Sequence, residues 1–368
     1  MNFDFLREYL DTQMGTPFSE TYVMQDHEVI FHHLAGLDDP HEGRRVKANG
    51  FYHIFSCTKV LTAAAGMQLW ERGKFLMHDP VSDFLPEYAD VRVKDATTGE
   101  LRAPTRTMTV GDLFGMTSGL RYQLTWPELE ELRASGKTLT TQNICRSLAT
   151  EPLSFDPGTR FQYSLSHDVL AAVIEVIAGC TFGEYLKKNI LLPLGMNETG
   201  FSIPAGCEAR AVSAWLRDEK TGEYTPRGFT CGYQLGGEYE SGGAGIITTP
   251  GDYRLLADAL ACGGKGATGA RILSPATIDM MRTPRNDLPF FDYLMAAGYR
   301  YGYGVRTMAD QSLGNSPIGE FGWDGACGCF ILSDPKNRLS MFHARYVSSP
   351  MNNYHSPRLR NILYACMD

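Results

Sequence analysis

Segments with the alternating pattern of β-strands lie towards both ends of this 368-residue chain, and the segments between them have helical spacing. Residues 19–34 alternate around a turn at Asp26-His27, and residues 318–332 and 339–346 flank a turn at 333–337. We therefore expect an α+β fold, with one antiparallel sheet built from both chain ends and flanked by helices. The predicted lobes are residues 1–75 plus 250–368, which hold the sheet, and a mainly helical inserted lobe at 76–249. A functional site is expected in the cleft between them.

Helix signals occupy the first residues, the middle and the end of the chain. Capping residues precede several of these segments, and a glycine-dense stretch at 236–245 is expected to be a loop. The predicted helices are an amphipathic one within 1–14, a long one from Ser56 to Gly73, a short one from Thr109 to about Gly119, residues 166–178, one opened by the Thr181–Glu184 capping box, one from Thr249, and one at about 357–366.

Composition excludes several classes of function. The net charge of -8 and the lack of a basic run argue against nucleic-acid binding. No apolar run is long enough to cross a bilayer, and residues 1–14 lack the basic and apolar regions of a signal peptide, so we expect a cytoplasmic protein with no membrane partner. The oligomeric state is left open by the sequence.

The cysteines indicate neither a disulfide framework nor a metal centre. The 9 cysteines are odd in number and scattered, which suits reduced thiols, and Cys327-Gly328-Cys329 has no second pair at metal-ligand spacing. We expect no metal and no cofactor. Cys57 has no histidine partner at a recognisable spacing and is interpreted as a packing residue.

Ser56-Cys57-Thr58-Lys59 is the main chemical motif. A serine hydroxyl needs an adjacent base to act as a nucleophile, and residues three apart on a helix share a face. An apolar run follows Ser56, whereas the second match, Ser333 to Lys336, lies in turn chemistry between two strands. Ser56 is therefore the candidate nucleophile and Lys59 its activating base, although a serine at a helix start is also a common N-cap.

Two further segments could complete an acyl-transfer site. Tyr163 precedes a helix, and a nearby cationic lysine would favour its phenolate form, which suits proton transfer. Glycines in the strand-like segment 321–326 suggest a close approach by a ligand, and an edge strand there could present the Ala326 N–H to a carbonyl oxygen. With the Ser56 N–H it would form an oxyanion hole. The alternatives are a core tyrosine and a β-bulge without chemistry.

The order of these motifs resembles the serine β-lactamase and penicillin-binding-protein superfamily over nearly the whole chain. Tyr163-Ser164-Leu165, followed by Asp168, and Trp323-Asp324-Gly325 are most similar to the family VIII carboxylesterases, and less closely to class C β-lactamases and D-aminopeptidases. The resemblance implies Ser56 as nucleophile, Lys59 as its partner, Tyr163 as proton shuttle, and the Ser56 and Ala326 amides as oxyanion hole.

The sequence departs from the β-lactamase pattern at two polar positions. Leu165 stands where those enzymes carry an asparagine, and Trp323 stands where they carry the lysine that meets a substrate carboxylate. Losing such a charge-assisted bond costs about 1.5–3 kcal/mol. Leu165, Trp323, Asp324 and Gly325 are thus the candidate substrate-binding residues, and Asp324 would either repel anions or bind an amine.

These features predict a serine hydrolase acting through an acyl-enzyme, with a small-molecule ester or amide as its substrate. A carboxylesterase for small or medium neutral esters is favoured. The alternatives are a β-lactamase or D-aminopeptidase-type amide hydrolase, or an acyltransferase with the same acyl-enzyme. A non-catalytic binding protein is disfavoured by the intact Ser56, Lys59 and Tyr163, and an α/β-hydrolase by the absence of a G-x-S-x-G motif.

Overall fold

Strands from both ends of the chain meet in one sheet. The computed structural model describes residues 1–14, 17–39, 41–45, 47–285 and 298–367. The large sheet contains β1 (Phe18–Gln25), β2 (Glu28–Asp39), β3 (Arg44–Arg45), β10 (Tyr299–Tyr301), β11 (Arg306–Met308), β12 (Phe321–Asp324), β13 (Phe330–Asp334) and β14 (Leu339–Ala344).

The eight strands have the order β10-β11-β12-β13-β14-β1-β2-β3, and every neighbouring pair is antiparallel. β1 and β14 join the two ends of the chain, with Tyr22 opposite Phe342. The predicted α+β fold with an antiparallel sheet is therefore confirmed, and so is the turn at Asp26-His27, where both residues have left-handed φ.

Shorter strands lie outside the large sheet. They are β4 (Tyr52–His53), β5 (Val93–Lys94), β6 (Leu101–Arg102), β7 (Ala214–Arg217), β8 (Tyr224–Gly228), β9 (Ile247–Thr248) and β15 (Val347–Ser348). β4 pairs with β9, so the last residues of the predicted inserted lobe are hydrogen-bonded to the segment that precedes Ser56. The lobe boundaries themselves stay a prediction.

The helices surround the sheet and fill the middle of the chain. They are α1 (Asp4–Glu8), α2 (Thr58–Glu71), α3 (Val110–Gly115), α4 (Pro127–Ala134), α5 (Thr141–Ser147), α6 (Ser166–Ala178), α7 (Phe182–Leu186), α8 (Leu192–Leu194), α9 (Pro250–Ala261), α10 (Pro275–Arg282) and α11 (Asn352–Ala365). One-turn π-helices at Tyr9–Gln13 and Lys187–Leu191 continue α1 and α7. Capping boxes at Thr109 and Thr181 open α3 and α7, as expected.

Three boundaries differ from the expectations. α3 ends at Gly115 rather than near Gly119, because Met116 takes the left-handed conformation that closes a helix. α11 begins at Asn352, so Pro357 lies inside it instead of opening it. Ser333 is a buried residue of β13, where its hydroxyl donates to the Ala257 carbonyl (2.9 Å), and the turn follows at Pro335.

α2 runs through the centre of the main core. Every residue from Thr58 to Leu69 is buried, so the helix has no solvent-facing stripe over that length. A second core lies between α1, α11 and the large sheet, and its members include Leu6, Phe31, Leu332 and Leu363. Within the described ranges no single helix is long and apolar enough to span a membrane, although a bent pair, Ser166–Ala178 with Phe182–Leu194, has that length and composition.

A buried ion-pair cluster ties α11 to the sheet. Arg360 on α11 donates to Asp324 on β12 (3.1 Å), and Arg306 on β11 lies 3.5 Å from the same carboxylate. Arg306 also lies 3.6 Å from Glu320, and its side chain has no exposed surface. Removing one partner from such a buried group leaves an uncompensated charge, which is costly.

We expect Asp324→Asn to lower the free energy of unfolding by about 3–5 kcal/mol, because among the described residues it leaves Arg306 with Glu320 and Arg360 without an acidic partner. Urea titration measures the change. Asp279→Asn, which breaks an exposed pair with Arg282 (2.7 Å), is the matched control and is expected to cost less than about 1 kcal/mol. Equal losses in the two variants would show that the cluster does not fix α11.

Candidate active site

Ser56 lies on a strained turn at the start of α2. It belongs to a 3₁₀ turn, Phe55–Cys57, that leads directly into the helix. Phe55 has a φ of +48°, a conformation that is unfavourable for a bulky side chain and that often occurs at functional sites. The turn sets the position of Ser56, of which only 4% is exposed.

Lys59 lies one helical turn after Ser56 and is completely buried. Its Nζ donates to the Gly243 carbonyl (2.8 Å) and lies 3.3 Å from Ser56 Oγ. Burial lowers the pKa of Lys59 to about 7, against the opposing effects of Asp168 and Cys57. A substantial fraction of this amine is therefore neutral near pH 7 and able to accept a proton.

Tyr163 completes the group from the segment before α6. Its hydroxyl donates to Ser56 Oγ (2.5 Å), and its ring lies 4.5 Å from Lys59 Nζ. The ring is stacked against Tyr122 (centroids 5.4 Å apart) and against Trp323 (5.7 Å). The three predicted catalytic side chains thus form one hydrogen-bonded unit, held in place by aromatic stacking.

The buried carboxylate of Asp168 lies near Lys59. Asp168 Oδ1 accepts hydrogen bonds from Tyr239 (2.5 Å), from Ser241 (2.6 Å) and from the Gly243 N–H (3.2 Å). A Cβ on Gly243 would lie 2.5 Å from Asp168 Oδ2 and 3.3 Å from Lys59 Nζ, so only glycine fits there.

Sequence reasoning assigned no role to these supporting residues. The glycine-dense stretch at 236–245 was expected to be a loop, and it does contain turns. It also places the Gly243 carbonyl in hydrogen-bonding distance of the Lys59 amine. The high glycine content of this stretch was the sequence feature that could have indicated a close backbone approach at Gly243. Tyr122, by contrast, comes from a segment without regular structure, and no sequence pattern pointed to it.

The backbone that is expected to stabilise an oxyanion lies beside the nucleophile. A Cβ on Gly325 would lie 2.4 Å from the Ile54 carbonyl, so Gly325 is in close contact with the residues that precede Ser56. Ala326 follows it and is exposed, in a turn closed by the bond from Gly325 N–H to the Cys329 carbonyl (2.7 Å). This placement is compatible with the predicted pair of Ser56 and Ala326 amides, which stays a prediction.

The strand in segment 321–326 is not at the edge of the sheet, contrary to the expectation from the sequence. β12 is the third strand of the sheet, with β11 on one side and β13 on the other. β11 reaches only Phe321 and Gly322, however, so Trp323 and Asp324 are paired on the β13 side alone. Ala326 lies beyond the end of the pairing with β11 and is exposed.

The four predicted substrate-binding residues present little side-chain surface. Trp323 is fully buried between Tyr163 and Tyr301, whose ring lies 5.1 Å away, and it restricts the orientation of the Tyr163 ring. Leu165 is 4% exposed, and Gly325 is buried. The Asp324 carboxylate lies 3.5 Å from Arg306 and 3.1 Å from Arg360, contacts that favour a structural role, and its predicted substrate contact stays a prediction.

Cys57 is the packing residue that the sequence predicted. It is completely buried, its thiol lies 3.6 Å from the Trp323 carbonyl, and burial raises its pKa well above the usual value. A buried thiol with a raised pKa is a poor nucleophile. All nine cysteines are free.

Comparison with known proteins agrees with this geometry. A family model described as Beta-lactamase matches residues 6–347. A Mycobacterium tuberculosis protein is 27% identical over 347 residues, which cover 88% of this chain and 84% of that protein. Esterase EstB of Burkholderia gladioli is 31% identical over 188 residues, 47% of this chain and 44% of EstB.

Among solved structures, EstCE1, described as a hydrolase with promiscuous acyltransferase activity, aligns over 95% of this chain and 94% of its own with a TM-score of 0.78. At 24% identity this likeness shows the fold alone. The family match covers nearly the whole chain and includes every member of the Ser56, Lys59 and Tyr163 unit. The chain therefore belongs to the beta-lactamase family, within the superfamily of serine β-lactamases, penicillin-binding proteins and family VIII carboxylesterases.

Proposed function

We propose that this protein is a serine acyl hydrolase that forms an acyl-enzyme on Ser56, and that its substrates are small or medium neutral carboxylic esters. The observation that carries the proposal is the position of Ser56 Oγ. It lies between the Tyr163 hydroxyl (2.5 Å) and the amine of Lys59 (3.3 Å). One group can take the serine proton while the other supplies a proton to the leaving group.

The proposed reaction uses these groups in sequence. The neutral Lys59 amine accepts the Ser56 proton as Oγ attacks the ester carbonyl carbon, and the resulting oxyanion is bound by the Ser56 and Ala326 amides. Tyr163 gives its proton to the departing alkoxide as the C–O bond breaks, and Lys59 returns a proton to Tyr163. Water then attacks the acyl-enzyme, which releases the acid and restores Ser56.

The surroundings favour a neutral substrate. Tyr122 stacks on Tyr163, and the Tyr233 ring lies 5.8 Å from that of Tyr122; Tyr122 and Tyr233 are both partly exposed. In the part of the site that the structure describes, the only basic side chain in contact with Ser56 is Lys59, whose amine is bonded to the Gly243 carbonyl and acts as the neutral base of the proposed reaction. An anionic β-lactam would therefore lose the charge-assisted bond for which Trp323 leaves no donor, a cost of about 1.5–3 kcal/mol.

An acyltransferase is the second candidate, and the promiscuous acyltransferase activity described for EstCE1 supports it. Both reactions share the acyl-enzyme, and they differ in whether water or an alcohol or amine resolves it. An amide hydrolase of the β-lactamase or D-aminopeptidase type ranks third, because the two polar handles for such substrates are replaced by Leu165 and Trp323.

A fluorophosphonate probe tests the nucleophile. We expect stoichiometric labelling with the adduct on Ser56 by mass spectrometry, and no labelling or turnover of a folded Ser56→Ala variant. Ser333→Ala is the matched control, because Ser333 begins the second Ser-x-x-Lys motif, and it should retain full labelling. An adduct on Cys57 or Ser333 would overturn the assignment.

The state of Lys59 sets the pH dependence of acylation. The pKa of Lys59 is about 7, and its neutral form is the proposed base. We therefore expect kcat/KM for p-nitrophenyl acetate to be low in acid, to rise as the pH passes through about 7 and to level off above it. Lys59→Arg keeps the charge but cannot lose its proton near neutrality, so it should be inactive across that range. A profile without an inflection near 7, or an active arginine variant, would remove Lys59 from the role of base.

Substrate preference is measured as a ratio. We expect kcat/KM for p-nitrophenyl butyrate to exceed that for nitrocefin by at least about tenfold, the value of one charge-assisted bond, with Ser56→Ala as the blank. Leu165→Asn restores an amide at the N-cap of α6, where asparagine is well tolerated, and should shift the ratio towards nitrocefin. A ratio below one would favour a β-lactamase, whereas labelled Ser56 without ester turnover would favour an acyltransferase.

A further inference from the structure

Three metal-ligating side chains converge between the β1–β2 turn and α9, outside the catalytic unit. They are His27 in the turn, and Asp258 and Cys262 one helical turn apart on α9 and its C-cap. Their ligand atoms all lie within 4.8 Å of one another. Asp258 and Cys262 are buried, while the His27 side chain is 25% exposed, which leaves a path from solvent.

The present distances are close to those of a metal site. His27 Nδ1 lies 2.7 Å from Asp258 Oδ2, and Cys262 Sγ lies 3.7 Å from Asp258 Oδ1. Tetrahedral zinc, with bonds of about 2.0–2.1 Å to nitrogen and oxygen and about 2.3 Å to sulfur, separates its ligand atoms by about 3.3–3.6 Å. The cluster would need to open by about half an ångström on the histidine side, where the ring is partly exposed to solvent.

The backbone also holds this arrangement. Asp26 and His27 both have left-handed φ, +50° and +73°, and the His27 N–H donates to Asp258 Oδ1 (3.2 Å). The turn is therefore fixed against α9 before any ion binds, which lowers the entropic cost of assembling the ligands. Asp258 has 1% exposure and, among the described residues, receives hydrogen bonds only from His27 and Cys262.

We propose that His27, Asp258 and Cys262 form a zinc-binding site that clamps the β1–β2 turn to α9, with water as the fourth ligand. The mixed nitrogen, oxygen and sulfur donors match the preference of Zn²⁺ over Mg²⁺ or Ca²⁺. On binding, the Cys262 thiol releases its proton to solvent and coordinates as the thiolate, and the proton that His27 Nδ1 shares with Asp258 is also lost from Nδ1, to Nε2 through solvent, so that the Nδ1 lone pair can coordinate. The bound dication compensates the charge of the buried Asp258.

The neighbouring charges set the strength of binding. Asp26 and Arg338 form an exposed ion pair beside the cluster, so the added positive charge of Arg338 is largely matched by Asp26. Burial raises the pKa of Cys262 to about 12, and the metal must displace that proton. Binding should therefore be tested at a mildly alkaline pH, where proton competition is weaker.

Cobalt titration of the full chain is the direct test, because Co²⁺ reports thiolate coordination through a near-ultraviolet charge-transfer band and tetrahedral geometry through intense visible bands. We expect one equivalent of Co²⁺ to bind with both signals, and Zn²⁺ to displace it. His27→Asn, which tolerates the left-handed backbone, and Cys262→Ser should each weaken binding at least tenfold, and Cys262→Ser should abolish the charge-transfer band.

Cys180→Ser is the matched control, since Cys180 is a partly exposed cysteine outside the cluster, and Ser56→Ala separates this site from the catalytic one. Both should keep the wild-type cobalt spectrum. Zn²⁺ should also raise the melting temperature of the wild-type protein but not that of His27→Asn. An unchanged spectrum in Cys262→Ser, or no cobalt signal at one equivalent, would overturn the proposal without affecting the assignment of Ser56.

Discussion

The burial of one amine organises the centre of this protein. Lys59 has no exposed surface, and a buried ammonium without partners would cost several kcal/mol. Two groups stabilise the amine. The Gly243 carbonyl accepts a hydrogen bond from it (2.8 Å), and the nearby carboxylate of Asp168 is itself held by Tyr239 and Ser241. These contacts require the glycine-dense stretch to approach α2 closely. The result is an amine whose pKa suits proton transfer at neutral pH.

Aromatic rings also lie close to the Lys59 amine, whose Nζ is 4.5 Å from the Tyr163 ring and 5.6 Å from the Tyr122 ring. Tyr122, Tyr163 and Trp323 lie in a nearly parallel stack, with interplanar angles of 3° and 17° at its two contacts. Such a stack restricts the Tyr163 ring without placing a second formal charge near the reacting atoms. The Trp323 indole N–H also donates to the Tyr163 hydroxyl (3.4 Å), so it contacts the group that is proposed to move protons.

The sequence predicted the features that depend on local patterns. Local patterns were enough to predict the fold: the strand alternation around Asp26-His27, the capping boxes at Thr109 and Thr181, and the apolar run after Ser56. Local motifs also identified Ser56, Lys59 and Tyr163 as candidate catalytic residues. Features that depend on distant partners could not be predicted in this way. Asp324 resembled a site residue by position in the motif, whereas its ion pairs are with Arg306 and Arg360, which no local pattern connects to it.

The pairing of the first long strand with the last has a consequence for how the protein is made. Thr21 and His343 are hydrogen-bonded across 322 residues, so the sheet closes only after almost all of the chain has been synthesised. Until then the sheet face of α2 lacks its cover, and the apolar surface of the emerging chain stays open to solvent or to chaperones. Contacts this far apart in sequence also slow folding, because the entropy of closing the loop is lost before the contact forms. Assembly of the candidate active site is therefore expected to be among the last steps in the folding of a newly made chain.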